Sequence, residues 1–274
     1  SRWPERIMIT YLNGALIEEE KAKISVTDRG LTLGDGLFET VRARDGKPER
    51  LGAHIQRLFD GAAFLGITVP FNANQLGRAL TETLVANELE EGILRLTLTR
   101  GAAARGLTVT RDYSPTLIIT AAEMPASSNP AKAWIARTIS RNEMSPLSRL
   151  KTLCYLDNII ARRESDKKNA DEAILLNSKG FIAEATTANL FVVVNDRLVT
   201  PPIEDGALPG VMRANILSTV DCVETSIRPK IFSDASEGFL TNSLGIRPLI
   251  SVDEAILGNG TVGSVTKKII KKFG

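Results

Sequence analysis

Arg149-Leu-Lys-Thr-Leu-Cys-Tyr155 is the most informative stretch of the chain, because it carries the amine of Lys151. A carboxylate, Glu184, follows at the end of a predicted strand, in Ala183-Glu-Ala-Thr-Thr-Ala-Asn-Leu-Phe191. Taken singly, most lysines and glutamates are solvated surface charges. A lysine at the start of a helix and a glutamate at the end of a later strand, however, could hold the two ends of one pyridine ring.

Such a pair suits pyridoxal phosphate. The ε-amine of Lys151 can form a Schiff base with the aldehyde, and the carboxylate of Glu184 can keep the ring nitrogen protonated, so that the ring takes up electrons from a carbanion. The phosphate needs donors as well. A helix predicted to begin at Pro209-Gly-Val-Met-Arg213 offers them, since the first backbone amides of a helix are unpaired and bind anions.

Four further side chains are open to two interpretations. Arg57 could add a charged contact to the phosphate, but its spacing to Asp60 also fits a solvated ion pair on a helix, which composition alone favours. The hydroxyls of Thr186, Thr187 and Ser243 could face the same phosphate, although hydroxyls are common in strands and loops.

Composition excludes several classes of protein. The chain has 274 residues, of which 43% are apolar, so it can bury a core without disulfides or metals. Its 34 basic and 32 acidic residues are mixed along the sequence, which indicates no nucleic-acid partner. No apolar run reaches the length of about eighteen residues that a membrane span needs, and no secretory signal is seen. We therefore expect a soluble cytoplasmic protein.

The counts of histidine and cysteine exclude further kinds of site. Histidine-rich metal sites are excluded because His54 is the single histidine, and its place at a helix start favours packing over catalysis. The two cysteines, Cys154 and Cys222, share no metal-ligand spacing and form no disulfide framework, so no metal is expected.

One motif near the end imitates a dinucleotide-binding fingerprint. Gly258-Asn-Gly-Thr-Val-Gly263 has the required glycine spacing, but too few residues follow it for a second parallel strand and an acidic ribose ligand. We interpret it as a glycine-rich loop. The sequence also has no nucleotide-binding Gly-x4-Gly-Lys-Ser/Thr loop.

Periodicity predicts an α+β protein of two domains. Hairpin signals at residues 8–17 and 37–46, helical patterns at 51–65 and 74–87, and strands at 93–100 and 116–121 describe an N-terminal α+β domain, residues 1–121. Residues 122–130 contain two prolines and no periodicity, which is typical of a linker. Residues 131–274 then form a larger C-terminal, cofactor-binding domain that is mostly sheet, with a helix predicted over 153–168.

The chain resembles the fold type IV pyridoxal-phosphate enzymes, which include branched-chain aminotransferases, D-amino-acid transaminases and aminodeoxychorismate lyases. Nearly the whole sequence takes part. The matching segments, in order, are residues 27–40 (Thr-Asp-Arg-Gly-Leu-Thr-Leu-Gly-Asp-Gly-Leu-Phe-Glu-Thr), 54–58, 99–101 with 105–106, Lys151, 169–173, Glu184 with 189–191, 208–213 and 241–248.

The resemblance implies a role for each residue of the site. Lys151 is the Schiff-base lysine and Glu184 the partner of the pyridine nitrogen. The phosphate is held by Arg57, the backbone amides of Val211 and Met212, and the region of Ser243. One departure concerns the ring hydroxyl: aminotransferases have a tyrosine five residues after the lysine, where this chain has Leu156, with Tyr155 one place earlier. The family also builds its site at a dimer interface, so a homodimer is expected.

Two residue positions favour the lyase branch, and two are compatible with the transaminases. Thr40 lies where lyases resemble one another in having a threonine, which would protonate the leaving pyruvate, and Asn242-Ser-Leu-Gly is similar to the lyase motif. Arg95 lies where branched-chain enzymes have an arginine, and Arg105 matches the carboxylate-binding arginine of the D-amino-acid branch.

We therefore predict an aminodeoxychorismate lyase of folate biosynthesis, acting on a small carboxylated amine with Arg95, Arg105 and Asn242 as substrate ligands. The enzyme alternative is a class IV aminotransferase for D-amino acids or branched-chain amino acids. A non-catalytic binding protein that kept the fold is the third possibility, which the yellow colour of a lysine-bound cofactor would exclude.

Overall fold

The structure, a computed structural model, describes residues 7–109, 113–126 and 129–274. The chain divides into two compact units. The first contains the residues up to Pro125 together with Lys151–Cys154, and the second contains Ala126–Leu150 and Tyr155–Gly274.

The first unit is an antiparallel sheet with helices packed on it. Its elements are β1 (Ile9–Leu12), β2 (Ala15–Glu18), α1 (Arg29–Leu33), β3 (Gly36–Arg44), β4 (Lys47–Pro48), α2 (Leu51–Leu65), α3 (Ala73–Ala86), β5 (Gly92–Thr99) and β6 (Thr116–Glu123). The six strands are ordered β2-β1-β6-β5-β3-β4. Alternate residues of a strand point to opposite faces. The face that α2 and α3 cover carries the core, with Val41, Leu94, Leu96 and Leu98 almost fully buried.

The second unit is a nine-stranded mixed sheet. Its elements are β7 (Ala131–Ile135), α4 (Leu156–Asp166), β8 (Glu172–Leu176), β9 (Ile182–Ala185), β10 (Asn189–Val194), β11 (Arg197–Thr200), α5 (Val211–Leu217), β12 (Val223–Glu224), α6 (Ile231–Asp234), β13 (Glu237–Asn242), β14 (Gly245–Val252), β15 (Ala255–Ile256) and α7 (Ser264–Phe273). Eight strands follow the order β12-β11-β10-β13-β14-β7-β8-β9, and β15 pairs with β14. Phe191 and Phe239 stack in its core, with ring centroids 5.0 Å apart.

Two of the predicted elements differ from the structure. The helix predicted over 153–168 begins only at Leu156, because residues 151–153 are extended against the edge of β3. The last strand of the first unit continues to Glu123, into the segment predicted to be a linker. Residues 127 and 128 of that segment lie outside the described residues, and the predicted domain boundaries remain predictions.

The glycine-rich motif at residues 258–263 lies in the loop between β15 and the terminal helix α7. Two of its glycines are needed for close packing. A Cβ at Gly258 would lie 2.3 Å from the carbonyl oxygen of Ser236, and a Cβ at Gly263 would overlap the carboxylate of Glu237. That carboxylate instead accepts hydrogen bonds from the first amides of α7, from Val265 at 3.1 Å and Thr266 at 2.7 Å.

Among the described residues, we find no helix that is long and apolar enough to cross a membrane.

Candidate active site

Lys151 lies in a short extended segment beside the start of β3. Its carbonyl accepts a hydrogen bond from the amide of Phe38 at 2.9 Å, and the amide of Leu153 donates to Gly36 at 3.1 Å. Glycine at position 36 permits this approach, because a Cβ there would lie 2.5 Å from the carbonyl oxygen of Leu98 and 2.8 Å from Leu153. The pairing brings Lys151 Nζ to 4.2 Å from the centroid of the Phe38 ring. The lysine is therefore held by backbone pairing and by its contact with an aromatic ring.

Thr40, the predicted catalytic residue, and Arg95, a predicted substrate ligand, lie on the face of the sheet that carries the Phe38 ring. Thr40 follows Phe38 by two residues, so both side chains point to the same side of β3. Arg95 of β5 lies directly opposite Thr40, and its guanidinium carbon is 3.8 Å from the centroid of the Phe38 ring. The ring of Phe38 thus contacts the amine of Lys151 and the guanidinium of Arg95, and the hydroxyl of Thr40 stands on the same face.

Arg57 projects from α2 on the other, helix-covered face. Asp60, the partner considered from helical spacing, accepts a hydrogen bond from Gln56 at 2.8 Å. Arg57 pairs with Glu39, which lies between Phe38 and Thr40 in the chain and so points to the opposite face. Arg57 Nε and Nη2 lie 2.8 Å and 2.6 Å from the two carboxylate oxygens of Glu39. The role of Arg57 toward a phosphate stays a prediction.

Arg105 is exposed on the loop that follows β5. An arginine of α1 fixes this loop: Arg29 donates to the carbonyls of Gly106 at 2.8 Å and Leu107 at 3.3 Å. Arg29 also binds Asp35, whose carboxylate accepts from Arg100 as well. Burial, the largest influence, raises the pKa of Asp35, but the hydrogen bonds from the two arginines outweigh it and hold that pKa below its ordinary value.

Glu184 stands on β9 of the second unit and is 5% exposed. One carboxylate oxygen pairs with Arg141 Nη2 at 2.8 Å. The other accepts from the amide of Leu208 at 2.9 Å and from Asn189 Nδ2 at 3.4 Å. Charged and neutral donors to a carboxylate favour its ionised form. This is the state that a partner of a protonated pyridine nitrogen requires.

Two of the three predicted phosphate hydroxyls of the second unit, those of Thr186 and Thr187, have protein partners. Thr186 and Thr187 both donate to Glu172, Thr187 at 3.2 Å. Glu172 is itself 4% exposed. Ser243 lies half-buried in the turn between β13 and β14. In the structure, therefore, the two threonine hydroxyls fix the turn after β9, and their contact with a phosphate stays a prediction.

The predicted phosphate-binding amides of Val211 and Met212 lie at the start of α5, and the predicted substrate ligand Asn242 lies at the end of β13. Val211 and Met212 begin α5, and the first intrahelical bond runs from Ala214 to the carbonyl of Gly210 at 2.9 Å. The amides of Val211 and Met212 therefore have no partner within the helix. Asn242 Nδ2 donates to the carbonyl of Thr187 at 3.3 Å, so this side chain also supports the turn after β9.

Two residues that the sequence did not single out organise these groups. Arg141 binds Glu184, and Glu39 binds Arg57. Both ion pairs join residues that are far apart in the chain, so no local spacing reveals them. Leu156, where aminotransferases have a tyrosine, is 72% exposed at the start of α4. An apolar side chain offers no hydrogen bond to a ring hydroxyl.

Taken unit by unit, the chemistry of these residues fits pyridoxal phosphate: the first unit holds a lysine amine on an aromatic ring and an arginine, and the second holds a carboxylate with fixed donors. Within residues 7–109, 113–126 and 129–274 there is no group of three or more histidine, cysteine, aspartate or glutamate side chains that could hold a metal ion.

Comparisons with known proteins agree with this chemistry. The family model described as amino-transferase class IV matches residues 36–252. A Methanocaldococcus jannaschii protein, provisionally named a branched-chain-amino-acid aminotransferase, is 35% identical over 97% of this chain and 95% of its own. The aminodeoxychorismate lyase of Bacillus subtilis is 29% identical over 96% of this chain and 93% of its own.

A solved structure gives the same result for the fold. The branched-chain amino acid aminotransferase of Escherichia coli superposes with a TM-score of 0.91 at 27% identity, covering 96% of this chain and 92% of that one. The predicted family and fold class are therefore confirmed.

Proposed function

Because the chain belongs to the class IV aminotransferases, a family of pyridoxal-phosphate enzymes, we propose that it is an aminotransferase that moves an amino group from an amino acid to a keto acid. The branched-chain amino acids are the first donors to test, since the relative that is 35% identical carries that name. This differs from our prediction from sequence, which placed the lyase first. The aminotransferases now come first because they supply both that relative and the superposed structure.

The observation that carries the proposal is the shared contact of Lys151 and Arg95 with the ring of Phe38. The cofactor, when bound, supplies an electron sink for the carbanion formed at the substrate α-carbon. The amine of Lys151 can take up and return the proton of that carbon. The guanidinium of Arg95, on the same ring, can bind the substrate carboxylate in a fixed orientation. A transaminase needs both functions close together.

A second candidate, aminodeoxychorismate lyase, is favoured by one specific observation. Thr40 lies on the same face of the sheet as Lys151 and directly opposite Arg95. A hydroxyl there could donate the proton that a leaving enol requires. The lyase of Bacillus subtilis is also a relative over nearly the whole chain.

One experiment separates the candidates. The purified holoenzyme is offered L- and D-forms of branched-chain amino acids and alanine with 2-oxoglutarate, and separately 4-amino-4-deoxychorismate, and the products are measured by mass spectrometry. We expect keto acids from the first set, and none from Lys151→Ala. Formation of 4-aminobenzoate and pyruvate from 4-amino-4-deoxychorismate, with no keto acid from the amino acids, would assign the lyase instead. The absence of product from both sets would support the third possibility, a non-catalytic binding protein.

A further inference from the structure

Glu39 is the centre of a buried polar cluster in the first unit. Both carboxylate oxygens contact Arg57, at 2.8 Å from Nε and 2.6 Å from Nη2, and the second oxygen also lies 2.7 Å from His54 Nδ1. Glu39 and His54 are each 2% exposed. The surrounding side chains are apolar: Val41, Ile55, Leu58, Leu80 and Leu96. The single histidine of the chain is therefore a hydrogen-bond partner of Glu39 and not only a packing residue.

The cluster keeps Glu39 ionised. Burial, the largest influence, raises the pKa of this carboxyl, but the hydrogen bonds from His54 and Arg57 outweigh it and hold the pKa below its ordinary value. Since the carboxylate only accepts, His54 Nδ1 carries the proton of their shared bond. A buried ion pair is often no more stabilising than apolar residues of the same volume. Stability alone thus gives little reason for an ionised carboxylate at this position.

The geometry indicates instead that the ionised carboxylate fixes the orientation of Arg57. A guanidinium bound through two nitrogens to one carboxylate is fixed in its plane as well as in its position. Glu39 takes one N–H from Nε and one from Nη2, so the remaining three N–H groups, two on Nη1 and one on Nη2, point away from it. The Arg57 side chain is 15% exposed, so it is not fully enclosed by the protein.

We infer that Glu39, itself fixed by His54, is a positioning residue that orients the outer edge of Arg57 toward a phosphate monoester, the phosphate of the cofactor. The inference rests on the proposed function for its ligand. It concerns Glu39 and His54, which act through Arg57 and do not touch the phosphate. It requires that loss of Glu39 weakens recognition of the phosphate group and leaves recognition of the rest of the cofactor unchanged.

The test compares pyridoxal phosphate with pyridoxal, which lacks the phosphate. Apoprotein is titrated with each compound, and the ratio of the two dissociation constants measures the preference for the phosphate. We expect Glu39→Gln to lower this preference about tenfold, the factor that corresponds to one hydrogen bond to a charged group. Arg57→Ala should lower it further. The double variant should lose no more than Arg57→Ala alone, because Glu39 acts through Arg57.

Two further variants complete the design. Gln56→Ala, on the exposed side of the same helix, is the matched control and should leave the preference unchanged. His54→Gln keeps the ion pair between Glu39 and Arg57 but holds Glu39 less firmly, so we expect the preference for the phosphate to fall about threefold, less than one full hydrogen bond contributes. If Glu39→Gln does not fold, His54→Gln tests the positioning role in its place.

Three results would overturn the inference. The first is an equal loss of affinity for both compounds in Glu39→Gln, which indicates general damage. The second is an unchanged preference in both Glu39→Gln and His54→Gln. The third is an unchanged preference in Arg57→Ala, which removes Arg57 from the phosphate. By contrast, the expected ratios in a protein that makes no keto acid would refute the proposed function and support the positioning role.

Discussion

Arg141 Nη2 lies 2.8 Å from Glu184 Oε1, and the same arginine donates to the carbonyls of Gly206 and Ser148 at 3.1 Å each. The arginine therefore connects the carboxylate on β9 with two turns of the second unit. One of these turns, Pro146–Arg149, ends two residues before Lys151 in the chain. The position of Glu184 thus depends on a residue that has no predicted contact with the cofactor.

Glu184→Gln should leave the cofactor bound but lower turnover by several orders of magnitude. The neutral amide keeps the shape of the carboxylate but no longer favours a protonated ring nitrogen, and a neutral pyridine is a weaker electron sink. Absorbance after dialysis measures bound cofactor, and stopped-flow kinetics measure the rate. Turnover near that of the unmodified enzyme would remove Glu184 from the ring nitrogen.

Arg141→Met should destabilise the second unit, because it leaves Glu184 buried without its charged partner. We expect a loss of about 3 kcal/mol in the free energy of unfolding, the range found when one member of a buried pair is removed. Urea denaturation followed by circular dichroism measures it. The double variant Arg141→Met/Glu184→Gln should lose less than the two single losses together, since no unpaired charge remains. Additive losses would show that the pair contributes no coupling.

Glu164 predicts how stability depends on acid pH. Its carboxylate accepts hydrogen bonds from Trp134, Thr138 and the amide of Arg137. Burial, the largest influence, raises the pKa of Glu164, but these hydrogen bonds together lower it from 4.5 to about 2. The folded-state pKa is below the unfolded value, so the contribution to stability is complete above pH 4.5 and is lost as the pH falls toward 2.

Glu164→Gln should therefore flatten the dependence of unfolding free energy on pH between about 4.5 and 2, as measured by thermal or urea unfolding across that range. The matched control is Glu254→Gln, an exposed carboxylate in the turn before β15, which should keep the slope of the unmodified protein. If the unfolding free energy of Glu164→Gln depends on pH as steeply as that of Glu254→Gln, the hydrogen bonds of Glu164 do not favour its ionised form.

The sequence predicted the elements that local patterns specify and missed the contacts that only the fold creates. The apolar repeat from Leu51 to Leu65 predicts α2 with its observed bounds, because helix periodicity is a local property. The same local rule suggested Asp60 as the partner of Arg57, whereas the structure has Glu39 of β3. A contact between a helix and a strand has no fixed spacing, so it cannot be read from one sequence.

The predicted site shows the same division. Lys151 and Glu184 were predicted because residue type and flanking motifs mark them, and their roles toward the cofactor stay predictions. The extended backbone of Lys151 was not predicted, because its pairing with Phe38 comes from tertiary structure that overrides the helical pattern after it. The hydroxyls of Thr186 and Thr187 were assigned to a phosphate by residue type alone, and the structure shows that Glu172 accepts from both.

Thr40→Val separates the two candidate activities. Valine keeps the β-branched shape that suits β3 and removes only the hydroxyl. If that hydroxyl protonates a leaving pyruvate enol, formation of 4-aminobenzoate should slow by about 10²–10⁴-fold, the usual contribution of a positioned general acid. Transfer of an amino group needs no proton at that place, so formation of the pyridoxamine form from an amino acid should continue at its original rate. Both products are measured in the same variant. Loss of 4-aminobenzoate alone would support the lyase. Equal loss of both products would mean that Thr40 only shapes the face beside Arg95. An unmodified enzyme that makes keto acids from amino acids but no 4-aminobenzoate would support the proposed aminotransferase.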